Sequence, residues 1–427
     1  MNKILNPDKS KWKVLLQRPT QTIEAIETTV NSIFDDVKRN GDDGIKRYTS
    51  IFDGVELSDL YVSSEEISLA SSQISSELKA AIDLAKNNIS TFHTAQKTTK
   101  KVVTTVEGVE CWQEKRAIQK VGLYIPGGTA PLFSSVLMLA IPAQIADCKE
   151  IILATPPNKK GEINPAILYA AKLCGVTKIL KVGGIQAIAG LTFGTETIPQ
   201  VYKIFGPGNQ YVTAAKQLAT KFGVAIDMPA GPSELLVITD EAANASFVAS
   251  DLLSQAEHGT DSQVILVSTS LEKLNEVEQE IEKQIEQLSR KNIAVKAIEN
   301  SKLIFIETKE TALNLINEYG PEHFIICTND NDFYINGVQN AGSVFIGDYT
   351  PESAGDYASG TNHTLPTNGY SKAYSGVNLD SFLKAITFQK ISKKGIQNIG
   401  NVIELMAEAE GLDAHKNAVT LRLNSLK

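Results

Sequence analysis

The chain has 427 residues and a formal net charge of −8, with 42% hydrophobic and 21% charged residues. This composition is that of a water-soluble globular protein, and it indicates neither a nucleic-acid-binding nor a membrane-binding surface. The longest apolar run, Val136 to Ala143, is far shorter than the roughly 18 residues of a membrane span, and the first residues lack the apolar run of a signal peptide. We therefore expect a cytoplasmic protein with roughly two to three domains.

Helical patterns dominate the first hundred residues, where His93 has no acidic neighbour and is expected to be structural or exposed. From about residue 119 to residue 347, strand-like apolar runs alternate with helical patterns, which predicts parallel α/β units. The first set of predicted strands is Lys120–Ile125, Glu150–Ala154, Lys178–Val182 and Val201–Phe205, and the second is Glu234–Ile238, Gln263–Val267, Ile293–Val295, His323–Cys327 and Ser343–Ile346. Predicted helices between them include Phe133–Ala146, Pro165–Leu173 and the charged stretch Leu271–Arg290, which is expected to present a solvated face. The residues from Asp380 onward are predicted to be helical again.

Glycine-rich loops follow three strands of the first set: Pro126-Gly127-Gly128, Gly183-Gly184 and Gly206-Pro207-Gly208-Asn209. Loops at the carboxyl ends of parallel strands let backbone N–H groups and helix N-termini approach a phosphate, which is typical of a dinucleotide site. No GxGxxG fingerprint is present, and a simple turn requirement is the alternative explanation.

A helix is predicted from Asn244, as its N-cap, to His258, with Gly259 just past its end. Helical spacing places Gln255 and His258 on one face, so both are expected to be buried. The same face carries Phe247, Val248, Leu252 and Ala256. A buried amide or imidazole costs roughly 1–3 kcal/mol if it has no partner, and a divalent metal is one candidate partner.

The segment Gly320-Pro321-Glu322-His323 opens an apolar strand. At the end of a strand both Glu322 and His323 can reach a cleft, one as a general base and the other as its partner or as the activator of a water. The alternative is a salt-linked pair that only caps the strand.

Two further segments contain candidate site residues. The loop from Gly347 to Pro366 has little periodicity, which favours a functional or mobile segment; in it Asp356 is a candidate metal ligand and His363 a candidate substrate contact. Near the C-terminus, Glu410 and His415 lie between two predicted helices and offer another carboxylate and imidazole. Ordinary surface polarity is the alternative for each of these four residues.

Four cysteines, Cys111, Cys148, Cys174 and Cys327, are widely spaced and form no CxxC pair. Neither a disulfide framework nor a thiolate zinc site is therefore indicated.

Together these segments closely resemble the histidinol dehydrogenase family over nearly the whole chain. The resemblance is carried by the run from Ile226 to Glu234 and by the run from Phe247 to His258. Three shorter segments are similar to the family's other motifs: Gly122 to Gly128, Gly206 to Asn209 and Gly320 to His323.

The resemblance implies an enzyme that oxidises L-histidinol to L-histidine, the last two steps of histidine biosynthesis, in two NAD-dependent hydride transfers through the aldehyde. It also implies one zinc ion per active site. The positions that match the zinc ligands are Gln255, His258, Asp356 and His415. A ligand set without thiolates suits a metal that also accepts substrate nitrogens and orients the substrate.

The resemblance further assigns His323 as the general base and Glu322 as the residue that activates water. Residues that match substrate contacts are Ser233, His363 and Glu410, together with His323 and the four zinc ligands. Residues that match contacts to NAD are Tyr124, Gln186 and Asn209, which lie at or beside the glycine loops.

The family fold implies an α/β protein with two incomplete Rossmann-like domains, similar to those of aldehyde dehydrogenases, with parallel sheets and small helical extensions. We expect an N-terminal helical extension at 1–19 and a first α/β domain, with most metal and catalytic residues, at 20–122 and 233–377. A second α/β domain at 123–232 is expected to contact NAD. The C-terminal helical extension at 378–427 is expected to complete the partner's site in an intertwined homodimer, to which His415 and Glu410 contribute.

Three alternatives remain at this stage. A cysteine could form a thiohemiacetal with the aldehyde, although Cys148, Cys174 and Cys327 lie in apolar segments and Cys111 has no neighbouring histidine. A zinc hydrolase could use the same metal ligands with Glu322 as its base. It would not need the glycine loops, and the HExxH motif of many zinc hydrolases is absent. A non-catalytic binding scaffold predicts that ligands or the Glu-His pair are lost, but all are present.

Overall fold

The computed structural model describes residues 1–19, 23–127 and 130–427. Its strands form three sheets. The strands are β1 Asn2–Leu5, β2 Val102–Val106, β3 Val109–Ala117, β4 Lys120–Tyr124, β5 Glu150–Ala154, β6 Lys178–Leu180, β7 Lys203–Phe205, β8 Ala225–Ile226, β9 Glu234–Thr239, β10 Gln263–Ser268, β11 Lys302–Phe305, β12 His323–Cys327, β13 Ser343–Ile346 and β14 Leu383–Ile391.

Helices connect and cover these strands. They are α1 Trp12–Leu15, α2 Ile23–Asp53, α3 Ser64–Ala70, α4 Ser76–Thr94, α5 Phe133–Ile145, α6 Pro165–Leu173, α7 Gly184–Phe193, α8 Gln210–Thr220, α9 Ala245–Ala256, α10 Leu271–Ile285, α11 Lys291–Glu299, α12 Lys309–Tyr319, α13 Asn331–Gly337, α14 Glu352–Tyr357, α15 Lys393–Ala409 and α16 Asp413–Asn424. Among the described residues, no helix combines the length and the apolar character that a bilayer crossing needs.

Two parallel sheets organise the chain, as the alternating pattern predicts. A five-stranded sheet has the order β6-β5-β4-β7-β8, and a six-stranded sheet has the order β1-β11-β10-β9-β12-β13. The central strands β9, β10 and β12 are buried along their whole length, because helices cover both faces. The mixed α/β class with parallel sheets is thus confirmed.

Helices α2, α3 and α4 pack on the five-stranded half. α2 contacts α7 and α8, α3 contacts α6, and α4 contacts α5. Their buried residues share two hydrophobic clusters with that sheet; Phe34, for example, packs edge-to-face on Phe193 with ring centroids 5.7 Å apart. These helices therefore pack on the five-stranded half, whereas the prediction placed 20–122 in one domain with 233–377.

The third sheet is antiparallel, with the order β14-β3-β2. It makes the helical prediction from Asp380 onward wrong for β14, where Ile386, Thr387 and Phe388 favour a strand and pair with the distant β3. The helical prediction for the first hundred residues is likewise wrong for β1, which forms an edge of the six-stranded sheet.

One predicted strand of the second set is also wrong. Ile293–Val295 lies inside α11, whose buried residues Ala294 and Ala297 have helical rather than strand spacing. The strand at this place in the sheet is β11, seven residues further along. The other eight predicted strands agree with the observed bounds to within two residues.

Helices α15 and α16 form a C-terminal hairpin, packed mainly against each other. Large apolar side chains on this hairpin are exposed in the single chain: Val402, Leu405, Met406, Leu412 and Leu421. Such a cluster is typical of a surface that another protein covers.

Candidate active site

The candidate site lies at the amino-terminal edge of the six-stranded sheet, where β9 and β12 begin. Helix α12 ends at Tyr319, and its C-cap Gly320 has a φ of +62°, a left-handed conformation that favours glycine. The chain then turns into Glu322 and His323, which are 5% and 4% exposed. His323 pairs in register with Leu235, so it lies beside the start of β9.

The Glu322 carboxylate accepts a hydrogen bond from the backbone N–H of Glu234, with 2.8 Å between Oε2 and N. Burial raises the pKa of Glu322 well above its ordinary value, while that N–H donor lowers it. A carboxylate with a raised pKa is a stronger base towards water.

The His323 ring has one nitrogen in use and one free. Nδ1 lies 3.2 Å from the carbonyl oxygen of Glu234, and because that oxygen can only accept, Nδ1 bears the proton. Nε2 is buried, has no hydrogen-bond partner among the described residues and lies 3.8 Å from Oδ1 of Asp356. Burial lowers the pKa of His323 to about 4, so the ring is neutral at pH 7 and Nε2 can accept a proton.

Helix α14 brings two carboxylates to this histidine. Glu352 and Asp356 are four residues apart and therefore lie on one face of the helix. Oε1 of Glu352 is 3.4 Å from Nδ1 of His323, and in the described part of the chain neither oxygen of this 1% exposed side chain has a hydrogen-bond partner. Burial raises the pKa of Glu352 well above its ordinary value.

Among the described residues, His323, Glu352 and Asp356 form a group whose possible ligand atoms all lie within 4.8 Å of one another. Glu352 is absent from the sequence-based candidates. The four-residue spacing of two acids in a polar segment was the pattern that could have indicated it.

His363 joins the two halves of the chain at the site. Its Nδ1 donates to the carbonyl oxygen of Asp356 at 2.9 Å, so Nε2 accepts from the hydroxyl of Ser135 at 3.0 Å. Ser135 is a buried residue of α5, on the five-stranded half. Asp356 and His363, which the sequence offers as separate candidates, are thus in contact.

Gln255 and His258 lie at the end of α9. Asn244 is the N-cap as predicted, but the helix ends at Ala256, two residues before the predicted end. The burial prediction is confirmed for Gln255, which is 0% exposed; neither of its amide atoms has a partner among the described residues. The prediction is wrong for His258, which is exposed in the single chain. Phe247 also differs from the prediction, since it is 40% exposed at the helix's first turn. Desolvation by the surrounding protein lowers the pKa of the His258 imidazole, while the nearby negative charge of Asp356 raises it.

Three predicted residues lie apart from this cluster or at its border. Ser233 directly precedes β9 and is half-buried. Glu410, the C-cap of α15, and His415, in the first turn of α16, are exposed, and no described hydrogen bond or ion pair links them to the cluster. The single chain therefore does not bring these two residues to the site.

The five-stranded half contains a cavity of about 1040 Å³. Its lining includes all three residues predicted to contact NAD, Tyr124, Gln186 and Asn209. Gln186 is fully buried, and no described residue is a hydrogen-bond partner of either side-chain amide atom, which leaves them available to a ligand.

Backbone geometry shapes this cavity at the carboxyl ends of the strands. The Tyr124 hydroxyl accepts a hydrogen bond from the N–H of Gly184 at 3.2 Å, and Asn209 caps α8. Gly206 has a φ of +124°, and a Cβ there would collide with the carbonyl of Tyr124. Of the predicted glycine loops, only Gly128 lies outside the described residues.

The four cysteines lie apart from the cluster of His323, Glu352 and Asp356. Burial raises the pKa of Cys148, Cys174 and Cys327 to about 12 each, so their thiolates are scarce at neutral pH. Cys111 is half-buried on β3 of the antiparallel sheet. His93, expected to be structural or exposed, is fully buried and its Nδ1 donates to the carbonyl of Ile89 in its own helix at 2.9 Å.

Comparison with known proteins gives a consistent result. The sequence model of the histidinol dehydrogenase family matches residues 16–423. Histidinol dehydrogenase from Bacteroides fragilis is 60% identical over 427 residues, which are all of both chains. The crystal structure of histidinol dehydrogenase from Elizabethkingia anophelis is 57% identical and superposes with a TM-score of 0.97 over 100% of this chain and 98% of that one. A betaine aldehyde dehydrogenase from Staphylococcus aureus, 11% identical, has a TM-score of 0.50 over 90% of this chain and 86% of its own, which indicates a shared fold alone.

Proposed function

Since the chain belongs to the histidinol dehydrogenase family, we propose that it oxidises L-histidinol to L-histidine through L-histidinal, the last two steps of histidine biosynthesis, with NAD as the oxidant. The observation that carries this proposal is the buried, neutral His323 with a free Nε2, beside the Glu322 carboxyl. This pair supplies the two proton acceptors that an alcohol and then a hydrated aldehyde require.

In the first oxidation, His323 accepts the hydroxyl proton of histidinol at Nε2 as hydride leaves the carbon. The carbonyl of Glu234 holds Nδ1–H and so keeps the lone pair on Nε2. The negative charge of Asp356, 3.8 Å from Nε2, stabilises the protonated ring once it forms. NAD bound near Tyr124, Gln186 and Asn209 supplies the hydride acceptor.

In the second oxidation, Glu322 removes a proton from water as its oxygen adds to the aldehyde carbon. The protonated His323 left by the first oxidation gives its proton to the carbonyl oxygen as water adds, so the hydrate forms and the ring is neutral again. A hydroxyl of the hydrate then gives its proton to Nε2 of His323 while hydride leaves. The sum is one alcohol and one water converted to one carboxylic acid, with two hydrides and two protons released. No cysteine takes part, which agrees with the raised thiol pKa values.

We propose that Gln255, His258, Asp356 and His415 hold one zinc ion. The unpartnered amide of fully buried Gln255 supports this assignment, because an orphaned buried amide needs a partner. A zinc ion there would bind the amino and imidazole nitrogens of histidinol and orient it. Nδ1 of His323, which faces Glu352, is less suited as a zinc ligand, because it bears a proton that it donates to the carbonyl of Glu234.

We propose an intertwined homodimer in the cytoplasm, in which Glu410 and His415 of one chain complete the site of the other. The exposed apolar residues of the α15–α16 hairpin and the exposed positions of Glu410 and His415 support the dimer. Mixing His323→Asn and His415→Asn chains under subunit exchange is expected to restore activity, because one of the two shared sites then has both wild-type residues. Verified heterodimers without activity would contradict the shared site.

The activity itself is tested by following NADH at 340 nm with L-histidinol and counting NADH formed per substrate consumed. We expect two NADH per histidinol, lost with a chelator and restored by zinc. No NADH from zinc-loaded protein would contradict the proposal and favour a zinc hydrolase or a binding scaffold. NADH formation that survives complete removal of zinc would contradict only the metal's role.

A further inference from the structure

Glu234, at the start of β9, touches both proposed catalytic side chains through its backbone. Its N–H donates to Oε2 of Glu322 at 2.8 Å, and its carbonyl accepts from Nδ1 of His323 at 3.2 Å. A shift of this one residue would therefore move the water activator and change the orientation of the general base together.

The side chain of Glu234 is fixed in turn by an ion pair. Oε1 accepts from Nε of Arg18 at 3.0 Å and Oε2 from Nη2 at 2.8 Å, a two-point contact that sets the orientation of both groups. Oε1 also accepts from the backbone N–H of Asn368. The Glu234 side chain is 1% exposed, so without Arg18 its charge would be buried and uncompensated.

Arg18 also contacts the segment that bears the catalytic pair. Its Nη2 donates to the carbonyl of Tyr319 at 2.8 Å, with the carbonyl of Gly320 at 3.5 Å, and these residues directly precede Pro321-Glu322-His323. The guanidinium carbon lies 3.8 Å from the centroid of the Tyr319 ring. One cation thus connects the two strand entrances from which the site is built.

The connection is itself rigid. Tyr319 is fully buried, and its hydroxyl donates to Oε1 of Gln263 at 3.0 Å. The amide nitrogen of Gln263 donates to the carbonyl of Gln17, next to Arg18, at 3.2 Å. The side chain of Arg18 has little freedom to move without breaking these bonds.

We propose that Arg18 and Glu234 are positioning residues, which fix Glu322 and His323 relative to each other by joining the start of β9 to the turn before β12. The proposal rests on the proposed function for its kinetic consequence. It assigns a catalytic effect to the N-terminal segment, which contains none of the predicted site residues.

The test is Arg18→Met, which keeps most of the side-chain length and removes the charge and the two-point contact. We expect kcat for histidinol to fall about 10–100-fold, as is typical when a partner that orients a reacting group is lost. KM for NAD is expected to stay unchanged, since the cavity lies on the other half. Arg18→Lys keeps the charge without the fork and is expected to recover part of kcat.

Leu16→Ala is the matched control, because Leu16 is 5% exposed in the hydrophobic cluster of the same segment and lies two residues from Arg18. It loosens the segment without removing the ion pair. Each kcat is corrected for the folded fraction measured by circular dichroism. A corrected kcat of Arg18→Met equal to that of the wild type would overturn the proposal, and so would a loss of kcat in Arg18→Met no larger than the loss in Leu16→Ala.

A second measurement does not depend on turnover. The Nδ1 proton of His323, bonded to the Glu234 carbonyl, is expected to give a downfield NMR signal that His323→Asn removes. We expect Arg18→Met to broaden or shift this signal and Leu16→Ala to keep it. An unchanged signal in Arg18→Met overturns the proposal even if the wild type fails to oxidise histidinol, whereas that failure alone contradicts the proposed function.

Discussion

The two halves of the molecule form their candidate ligand sites in different ways. The cavity of the five-stranded half is lined by residues of many elements, including glycines and helix starts at the carboxyl ends of strands. The cluster of the six-stranded half is made of buried or half-buried titratable side chains at the start of β12 and on α14. A large cavity suits a cofactor that recurs in many reactions, whereas the side-chain cluster suits the chemistry of one substrate.

The largest expected effect separates chemistry from cofactor binding. His323→Asn removes the free Nε2 and is expected to lower kcat by about 10²–10⁴-fold while leaving the affinity for NAD unchanged. Steady-state kinetics and a direct NAD binding titration measure the two quantities. His93→Asn is the control, since His93 is as buried but contacts Ile89 and Asn362 rather than Glu234 and Asp356; equal losses of kcat in both variants would contradict the assignment.

Within the cluster, Glu322→Gln is expected to separate the two oxidations. The amide cannot take a proton from water, so oxidation of supplied histidinal should slow by about 100-fold, and oxidation of histidinol to the aldehyde should slow much less. Single-turnover NADH formation from each substrate makes the comparison. Equal slowing of both steps would argue against water activation by Glu322.

On the cofactor side, Gly206→Ala is expected to raise KM for NAD about tenfold or more and to lower kcat little, because a Cβ collides with the carbonyl of Tyr124. Gly223→Ala is the control: its φ is also positive, at +84°, but a Cβ there meets nothing within 4 Å. Both variants place a Cβ at a positive φ and are expected to lower the melting temperature, with the collision adding to the loss in Gly206→Ala. A similar KM for NAD in the two would refute a role of this contact in the cavity.

The smallest expected effect concerns the cysteines. With a pKa of about 12, Cys148, Cys174 and Cys327 hold roughly one thiolate in ten thousand at pH 8, and the fraction grows only as pH rises towards 12. Single Cys→Ala variants of these three and of Cys111 should keep histidinal oxidation within about twofold of wild type at equal folded fraction. Selective loss of the aldehyde step in any of them would restore the thiohemiacetal route.

The sequence predicts local features better than distant ones. Both parallel sheets follow from runs of apolar residues, and the burial of Gln255 follows from helical spacing. The helix end at Ala256 and the exposure of His258 do not follow, because spacing says nothing about where the last turn unwinds.

Features that depend on residues far apart in the chain were not predictable from local patterns. β14 pairs with β3 across more than two hundred residues, and its half-exposed face gives no buried alternation. Glu352 appears as one acid in a polar loop until α14 turns it towards His323. The contact between Arg18 and Glu234 joins positions 216 residues apart, and neither shows a recognisable motif for this role.

The edge strand β1 has a consequence for how the chain is made. Asn2 pairs with Lys302, so the six-stranded sheet can close only after most of the polypeptide has left the ribosome. The strands of the five-stranded sheet all lie between residues 120 and 226 and have parallel partners much nearer in the chain. The half that we propose binds the cofactor can therefore form early in translation, while the first residues stay unpaired until the other half arrives.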